Sequence, residues 1–212
     1  MPPTGAGGPK PTLLIATSNG DKLREIRELL AGLPLELRSL DAMSGVAPPE
    51  ETGQTFAENA RAKALYYAAR MGQVTVADDS GLEIEALGGV PGVQSARFGG
   101  AQTPYAEKFR LIYEALRRLG LRSSRARFVC ALAVASGPQT LFEASGTVEG
   151  EIASEPRGQG GFGYDPIFFY PPFGCTLAEA GERKSSVSHR GKAFQCLRSW
   201  LSSHFLRSSP PP

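Results

Sequence analysis

A buried strand that leads through a short polar turn into a helix is the feature that most limits how this chain can fold. The apolar segment 13–17, LLIAT, is typical of a buried strand. Residues 21–31 then place Leu23, Ile26, Leu29 and Leu30 on one helical face, and Gly32 follows as a stop signal. Strand, turn and helix in this order predict an α/β fold.

The same alternation continues along the chain. Thr55 and Glu58 form a predicted capping box for a helix that runs to about Met71 and stops at Gly72. The apolar segment VTVAD, residues 74–78, predicts a second buried strand directly after it. Near the end of the chain, the apolar spacing over residues 188–205 predicts a closing helix.

The middle of the chain predicts one more helix and a hairpin. Thr103 is the predicted N-cap of a helix that has Pro104 in its first turn and ends at Gly120. Two β-rich segments, 127–136 and 139–152, lie on either side of a Gly-Pro turn signal, so we expect them to pair as an antiparallel hairpin.

The chain length suits one domain, or one domain with a small lobe. Its 212 residues can bury a substantial core, which we expect to span residues 12–206. Residues 1–11 and 207–212 are rich in Pro, Gly or Ser and offer little apolar surface, so both segments are predicted to be disordered tails.

Charge, cysteine content and apolar runs exclude several kinds of partner and site. The 23 basic and 21 acidic residues give a net charge of +2, so we expect neither nucleic acid nor an anionic membrane as a partner. Three widely spaced cysteines lack any zinc or redox spacing. The first residues lack the apolar stretch of a signal peptide, and the longest apolar run is too short to span a bilayer. We therefore expect a soluble, cytoplasmic protein.

The polar turn after the first strand is a candidate phosphate site. Its residues are Thr17, Ser18, Asn19, Gly20, Asp21 and Lys22. A helix start attracts phosphate through unpaired backbone N–H groups and the positive end of the helix dipole, and a lysine adds a full charge. The P-loop pattern is absent, and for these residues alone an ordinary N-cap is the favoured interpretation.

Acidic residues at the predicted end of the second strand are a candidate metal site. Asp78 and Asp79 are followed by Ser80 and Gly81, and carboxylates at such a position can hold a hard cation, for which Mg²⁺ is the natural candidate. Successive strand side chains point to opposite faces, so we expect one aspartate to be catalytic and its neighbour supportive. A polar turn is the alternative, although Glu50-Glu51 offers further carboxylates.

Two later segments could bind a base. Residues 158–165 combine four glycines with Phe162 and Tyr164, and aromatic rings in a glycine-rich loop can stack on a base. Lys184 and residues 188–190, Ser-His-Arg, supply donors suited to phosphate or to carbonyl oxygens of a base. For residues 188–190 alone, a solvated basic helix start is the competing interpretation. His204 receives no role.

Five motifs together resemble one family. ATSNGDKLREI, EETGQTFAENARAKA, ADDSGLEIEALGGVPGVQSARF, GGFGYDPIF and KSSVSHRGKA cover most of residues 13–200 in the family's order. They resemble the inosine/xanthosine triphosphate pyrophosphatases, named for Ham1 or RdgB. The resemblance implies an elongated, two-lobed α/β fold with a long mixed sheet flanked by helices, an active site in the cleft between the lobes, and a homodimer.

The resemblance also implies an activity, which is the Mg²⁺-dependent hydrolysis of ITP, dITP and XTP to the monophosphate and pyrophosphate. By position, Asp79 matches the family's metal-linked catalytic acid, and Glu51 matches a carboxylate that helps to hold Mg²⁺. The matches to groups that bind the triphosphate are Thr17, Asn19, Lys22, Lys63, Arg97 and Lys184. Those around the purine are Phe162, which stacks on it, and Tyr164, Asp165, Ser188, His189 and Arg190, which surround its edge. We include Ser80 and Gly163, which adjoin these positions, among the expected substrate contacts.

Base selection is expected at the edge of the purine, because stacking accepts any purine. Donors from His189 or Arg190 would pair with the 6-carbonyl of hypoxanthine or xanthine and remain unpaired opposite the adenine amino group. Guanine needs a second discrimination near its 2-amino group. The departures from the family's pattern are at the ends and in residues 119–127, which carry extra basic residues.

Two alternatives remain beside this activity. A Maf-type pyrophosphatase has a related fold, but it opens with a Ser-Pro-Arg-Arg motif that this chain lacks. A nucleotide-sensing module would bind without turnover and would tolerate loss of the acidic cluster. The presence of Asp78, Asp79 and Glu51 disfavours such a module.

Overall fold

One mixed sheet with helices on its faces organises the computed structural model, which describes residues 10–42 and 46–206. The strands within these residues are β1 (Thr12–Ile15), β2 (Glu36–Ser39), β3 (Thr75–Ile84), β4 (Arg125–Ser136), β5 (Gln139–Ile152), β6 (Phe168–Tyr170) and β7 (Cys175–Thr176). The α-helices are α1 (Gly20–Leu30), α2 (Phe56–Met71), α3 (Tyr105–Arg118) and α4 (His189–Trp200). The sheet order is β2-β1-β3-β4-β5-β6-β7, which confirms the mixed α/β fold.

The first strand, turn and helix form as predicted, with β1 parallel to both β2 and β3. The second strand was predicted to end at residue 78, and this prediction is wrong. β3 continues to Ile84, because the antiparallel strand β4 pairs with it from Thr75 to Ile84 and supplies a hydrogen-bonding partner along its whole length. Asp78 and Asp79 therefore lie within a strand rather than after one.

The helix ends follow the capping signals with two exceptions. Thr55 and Glu58 form the predicted capping box of α2, and Ser188 caps α4. The prediction that Thr103 caps α3 is wrong. Pro104 has extended backbone angles and is itself the N-cap residue, so the helix begins at Tyr105. The α-helical part of the closing helix ends at Trp200, and a π-helical turn covers Leu201–Phe205. The predicted β4–β5 hairpin is confirmed.

Apolar side chains form three clusters that correspond to two lobes. One cluster packs α1 and α4 against one face of the sheet, around Leu13, Ile26 and Phe194. A second packs α2 against the opposite face. The third lies farther along the long strands, where α3 packs on the second half of β3 and on β4, β5 and β6, around Ile84 and Ile112. The first two clusters build one lobe and the third builds the other.

The predicted tails lie outside the described residues, except for Lys10 and Pro11. The Pro11 carbonyl accepts a hydrogen bond of 2.9 Å from the Glu36 amide, next to the start of β1. No described helix is long and apolar enough to cross a membrane.

Candidate active site

Most of the predicted site residues line one cleft of about 690 Å³. The predicted residues on its walls are Thr17, Ser18, Asn19, Lys22, Glu51, Lys63, Asp79, Ser80, Arg97, Phe162, Gly163, Tyr164, Asp165, Lys184, His189 and Arg190. Three predicted residues, Gly20, Asp21 and Ser188, are adjacent in sequence but do not line it. The two lobes both contribute to these walls.

The sheet explains why the cleft lies where it does. Leu14 and Ile15 of β1 lie beside Thr75 and Val76 of β3, after which β1 ends and β3 continues. The next residues of β3 therefore pass the carboxyl end of a parallel strand, which is where open α/β sheets place their ligand sites. This geometry brings Asp79 next to the turn that leads into α1.

The turn into α1 is both a helix cap and a cleft wall. The Asn19 side-chain oxygen accepts hydrogen bonds from the amides of Asp21 (2.9 Å) and Lys22 (3.1 Å), as an ordinary N-cap does. Among the described residues, the amides of Ser18 and Gly20 have no acceptor, so they remain available to an anion at the positive end of the helix.

Asp79 is a buried carboxylate held by two donors. Its Oδ2 accepts a hydrogen bond of 2.9 Å from the Asn59 amide group on α2, and its Oδ1 accepts one of 2.9 Å from the Ser80 backbone. Burial raises the pKa of Asp79 above its usual value, and the positive charge of Lys63 and the Asn59 hydrogen bond only partly counter this. The carboxylate is therefore fixed in orientation and more basic than an exposed aspartate.

Asp78 points to the opposite face of the strand, as the alternation of side chains predicted. Its Oδ2 lies 3.1 Å from the Lys22 ammonium and 3.4 Å from Nε of Arg190. Burial would raise the pKa of Asp78, but Lys22, Arg190 and Lys63 outweigh burial and hold the pKa well below its usual value. Asp78 is therefore an anion that ties the α1 turn to α4.

A second group of charges surrounds Glu51. The Lys63 ammonium forms an ion pair with the Glu51 carboxylate and donates a hydrogen bond of 3.2 Å to the Asp78 carbonyl. Arg97 donates to the Glu51 carbonyl at 2.9 Å, and its guanidinium also lies 3.5 Å from the carboxylate. Glu51 thus contacts both Lys63 and Arg97 on this wall of the cleft. Within the described residues, no three His, Cys, Asp or Glu side chains form a group able to hold a metal ion.

The glycine-rich loop forms the aromatic end of the cleft. The Asp165 carboxylate accepts a hydrogen bond of 2.8 Å from the Phe162 amide and one of 2.6 Å from the Lys184 ammonium. The same ammonium lies 4.9 Å from the centre of the Phe162 ring. Lys184 was expected to face phosphates. Its contacts with Asp165 and with the Phe162 ring instead lie at the end of the cleft where the base is expected to stack.

The Arg190 side chain is enclosed by the protein and is held by several partners. Its side chain is almost fully buried, and it donates to Glu25 at 2.6 Å and to the Ser80 hydroxyl at 2.8 Å, while Nε faces Asp78. All three guanidinium nitrogens therefore have partners within the protein. Arg190 is therefore a structural tie, and its guanidinium carbon also lies 5.6 Å from the centre of the Phe162 ring.

His189 is a buried, neutral imidazole in the wall of the cleft. Its ring stacks on Phe128 at 4.8 Å, and its Nδ1 has no hydrogen-bond partner among the described residues. Burial lowers the pKa of His189 well below its usual value, and the charges of Arg190 and Lys184 lower it further. His189 is therefore an uncharged part of the cleft wall.

Glu25, Asn59 and Tyr105 are among the cleft or supporting residues that were not predicted as site residues. Glu25 holds Arg190, and Asn59 holds Asp79, although both lie inside segments that carry the family resemblance. Tyr105 lines the cleft from the start of α3, where no sequence signal marks it. Ser188 acts as the N-cap of α4, since its hydroxyl accepts a hydrogen bond of 2.8 Å from the Gly191 amide.

Comparison with known proteins agrees with this arrangement. A dITP/XTP pyrophosphatase of Thermus thermophilus is 46% identical to the chain over 203 residues, which cover 94% of each protein. One of Geobacillus kaustophilus is 44% identical over 186 residues, which cover 87% of this chain and 91% of that protein. A solved HAM1 protein from Coxiella burnetii superposes with a TM-score of 0.83 and 41% identity, over 91% of this chain and 98% of that one.

A second solved structure and a family comparison give the same result. A protein from Mycobacterium abscessus, described as a nucleoside-triphosphatase and dITP/XTP pyrophosphatase, superposes with a TM-score of 0.70 and 39% identity, over 88% of this chain and 98% of that one. The sequence profile of the Ham1 family matches residues 13–200, which include every predicted site residue. The chain therefore belongs to the Ham1 family.

Proposed function

We propose that this chain hydrolyses the deaminated purine nucleoside triphosphates ITP, dITP and XTP to the monophosphate and pyrophosphate. The observation that carries the proposal is a single cleft lined by a helix N-terminus with basic side chains, by carboxylates and by an exposed face of an aromatic loop. These parts suit a triphosphate, its hydrolysis and a base respectively. The relatives named dITP/XTP pyrophosphatase support the choice of substrates.

The triphosphate binds at the turn into α1. The amides of Ser18 and Gly20 and the positive end of the helix dipole attract phosphate oxygens. Lys22 lines the same wall, and Lys63 and Arg97 add positive charge near Glu51. Such preorganised donors also stabilise charge that develops on the pyrophosphate leaving group.

Asp79 is the catalytic residue of this proposal. Asn59 and the Ser80 amide fix the orientation of its carboxylate, and burial makes the carboxylate a better proton acceptor. Asp79 orients a water molecule and accepts a proton from it as the water attacks the α-phosphorus. Attack at this position releases a monophosphate and pyrophosphate in one step.

The carboxylates fit Mg²⁺ bound together with the substrate. Glu51 and Asp79 offer hard oxygen donors, and the cleft lining contains no cysteine that would favour a softer metal. Mg²⁺ commonly uses one or two carboxylates together with phosphate oxygens of the substrate, so a cage of three protein ligands is not required. When bound, Mg²⁺ would neutralise negative charge on the phosphates. Asp78 does not line the cleft and its side chain is enclosed, so it is not proposed as a ligand.

The base binds at the aromatic end, where the Phe162 ring stacks on the purine. The Lys184 ammonium, 4.9 Å from the ring centre, donates to the 6-carbonyl of hypoxanthine or xanthine, and the neutral His189 lies in the same cleft. Adenine carries an amino group at this position and would offer no acceptor to the N–H groups of the ammonium that do not bond Asp165. A site built to pair with one group rejects a base that lacks it.

The family resemblance supports three further proposals. Residues 12–206 form one catalytic domain, the protein is a homodimer, and it acts in the cytoplasm. Light scattering on the purified chain tests the dimer, since a mass of about twice 22.5 kDa is expected and a mass near 22.5 kDa would contradict it.

A pyrophosphate-release assay tests the function. ITP, dITP and XTP are compared with the eight standard nucleotides, using the intact chain, Asp79→Asn and the control Asp41→Asn, which alters an exposed carboxylate outside the cleft. We expect rapid release from the deaminated nucleotides, none with Asp79→Asn and normal release with Asp41→Asn. Binding of ITP without turnover by the intact chain would instead favour a nucleotide-sensing module, and normal activity of Asp79→Asn would refute the role of this residue.

A further inference from the structure

Tyr105 is an aromatic residue of the cleft wall that has no role in the mechanism above. It is the first residue of α3, it lines the cleft, and 39% of its surface is exposed. Large aromatic side chains that stay exposed in a concave site are common ligand contacts, because they bury much apolar area when a ligand arrives. The position of Tyr105 is therefore typical of a residue that contacts a ligand.

The orientation of the Tyr105 ring is fixed by its neighbours. The ring meets Tyr164 edge to face, with centroids 5.2 Å apart and an interplanar angle of 88°. The Lys108 ammonium lies 4.6 Å from its centroid and is itself held by the carbonyls of Ser95 (3.3 Å) and Ala96 (2.5 Å). A ring held in this way loses little conformational entropy on binding a ligand, so the contact is preorganised.

The surroundings of Tyr105 assign it to the aromatic end of the cleft. Gly163 adjoins Phe162, and a methyl group built on Gly163 would lie 3.6 Å from the Tyr105 hydroxyl oxygen. Burial raises the pKa of Tyr105, and the negative charges of Asp165 and Asp21 raise it further. The hydroxyl therefore stays protonated and can act as a hydrogen-bond donor.

The Tyr105 hydroxyl is a donor that the protein leaves unused. It makes no hydrogen bond to any described residue, whereas the Tyr164 hydroxyl nearby donates to the Ser95 carbonyl at 2.9 Å. A donor at the wall of the cleft can pair with an oxygen or nitrogen acceptor of a bound molecule at little cost in desolvation.

We propose that Tyr105 is a substrate-binding residue for the nucleoside half of the substrate, with its ring packed against the nucleoside and its hydroxyl donating a hydrogen bond to it. The inference rests on the proposed function, because it takes the substrate to be a purine nucleoside triphosphate. It adds a contact from the second lobe to the stacking already assigned to Phe162. Tyr105 would therefore sense the nucleoside and not the phosphates.

Inhibitors that carry only part of the substrate test this assignment. Tyr105→Ala, Tyr105→Phe and the intact chain are compared by the KM of ITP and by the inhibition constants of IMP and of inorganic tripolyphosphate. Loss of an aromatic contact to a base costs about 1–3 kcal/mol, or roughly five- to 150-fold in affinity. We expect Tyr105→Ala to raise the KM of ITP and the inhibition constant of IMP by about ten-fold or more, while the constant of tripolyphosphate changes less than about two-fold.

The phenylalanine variant separates the ring from the hydroxyl. Tyr105→Phe keeps the ring and is expected to weaken IMP by about two- to ten-fold, the range for one neutral hydrogen bond. Tyr113→Phe is the matched control, because it removes a hydroxyl from the same helix outside the cleft and should leave all three constants unchanged. Thermal unfolding of each variant checks that the fold is retained.

Two results would overturn the inference while the proposed function stands, provided that the intact chain releases pyrophosphate from ITP. One is an unchanged inhibition constant of IMP in Tyr105→Ala. The other is an equal loss for IMP and tripolyphosphate in the folded variant, which would place Tyr105 at the phosphates or make its role structural. An unchanged IMP constant in Tyr105→Phe would refute the hydrogen bond. Failure of the intact chain to hydrolyse ITP would refute the proposed function itself.

Discussion

His189 gives a pH dependence of stability that can be worked out from its surroundings. The imidazole is buried, it stacks on Phe128, and its pKa is lowered well below the usual 6.5 by burial first and by the charges of Arg190 and Lys184 next. The unfolded chain regains the ordinary value. Between the two pKa values only the unfolded state binds the proton, so stability is intact above about pH 6.5 and falls as the pH drops below it.

The size of this effect follows from proton linkage. If His189 stays neutral in the folded protein at pH 5.5, its contribution to the free energy of unfolding falls by about 1.4 kcal/mol between pH 7.5 and pH 5.5. Carboxylates also titrate in acid, so the measurement needs a variant that lacks only this proton site. His189→Phe keeps a flat ring on Phe128 and removes no described hydrogen bond.

Urea unfolding at both pH values, followed by circular dichroism, provides the assay. We expect the intact chain to lose about 1.4 kcal/mol more than His189→Phe on going from pH 7.5 to 5.5. His204→Phe serves as the second variant and should leave that loss in place. Equal losses in the intact chain and His189→Phe would show that the imidazole is not held neutral, and the account of this wall would be wrong.

Three further predictions address other parts of the site. Glu25→Gln removes the charge that faces Arg190 and should lower the free energy of unfolding, measured in urea, by about 1–3 kcal/mol. The exposed control Glu28→Gln should change this free energy by less than about 0.5 kcal/mol. Equal effects of the two variants would refute the structural role of the Glu25–Arg190 contact. Lys184→Met should reduce the ratio of kcat/KM for ITP to kcat/KM for ATP by about ten-fold or more. Lys192→Met is the control and should leave this ratio unchanged. An equal fall in kcat/KM for both nucleotides in Lys184→Met would instead assign Lys184 to the phosphates. Excess EDTA should abolish pyrophosphate release and Mg²⁺ should restore it, and full activity in EDTA would contradict the proposed metal.

The sequence predicted the local structure of the site well, because the signals there are local. The β1 strand and the α1 turn, the Thr55–Glu58 capping box and the β4–β5 hairpin depend on neighbours a few residues apart, and all are present. The end of the second strand could not be predicted from the acidic pair within it. The continuation of β3 depends on β4, whose residues lie about fifty positions later in the chain.

The contact partners of the charged residues also could not be predicted from the sequence. Glu25 lies 165 positions before Arg190 and reaches it only because α1 and α4 pack on the same face of the sheet. Lys184 resembles residues expected at phosphates, and its pairing with Asp165 places it beside Phe162. Tyr105 enters the cleft through the start of α3, a tertiary placement that no local pattern marks.

The site of bond cleavage is the most direct test of the account. ITP is hydrolysed in water enriched in ¹⁸O with Mg²⁺ present, and the products are analysed by mass spectrometry. Attack of an Asp79-oriented water on the α-phosphorus predicts one ¹⁸O atom in IMP and none in pyrophosphate. Label in pyrophosphate would indicate attack at the β-phosphorus, and release of labelled inorganic phosphate with IDP would indicate attack at the γ-phosphorus. Either result would contradict the proposed reaction.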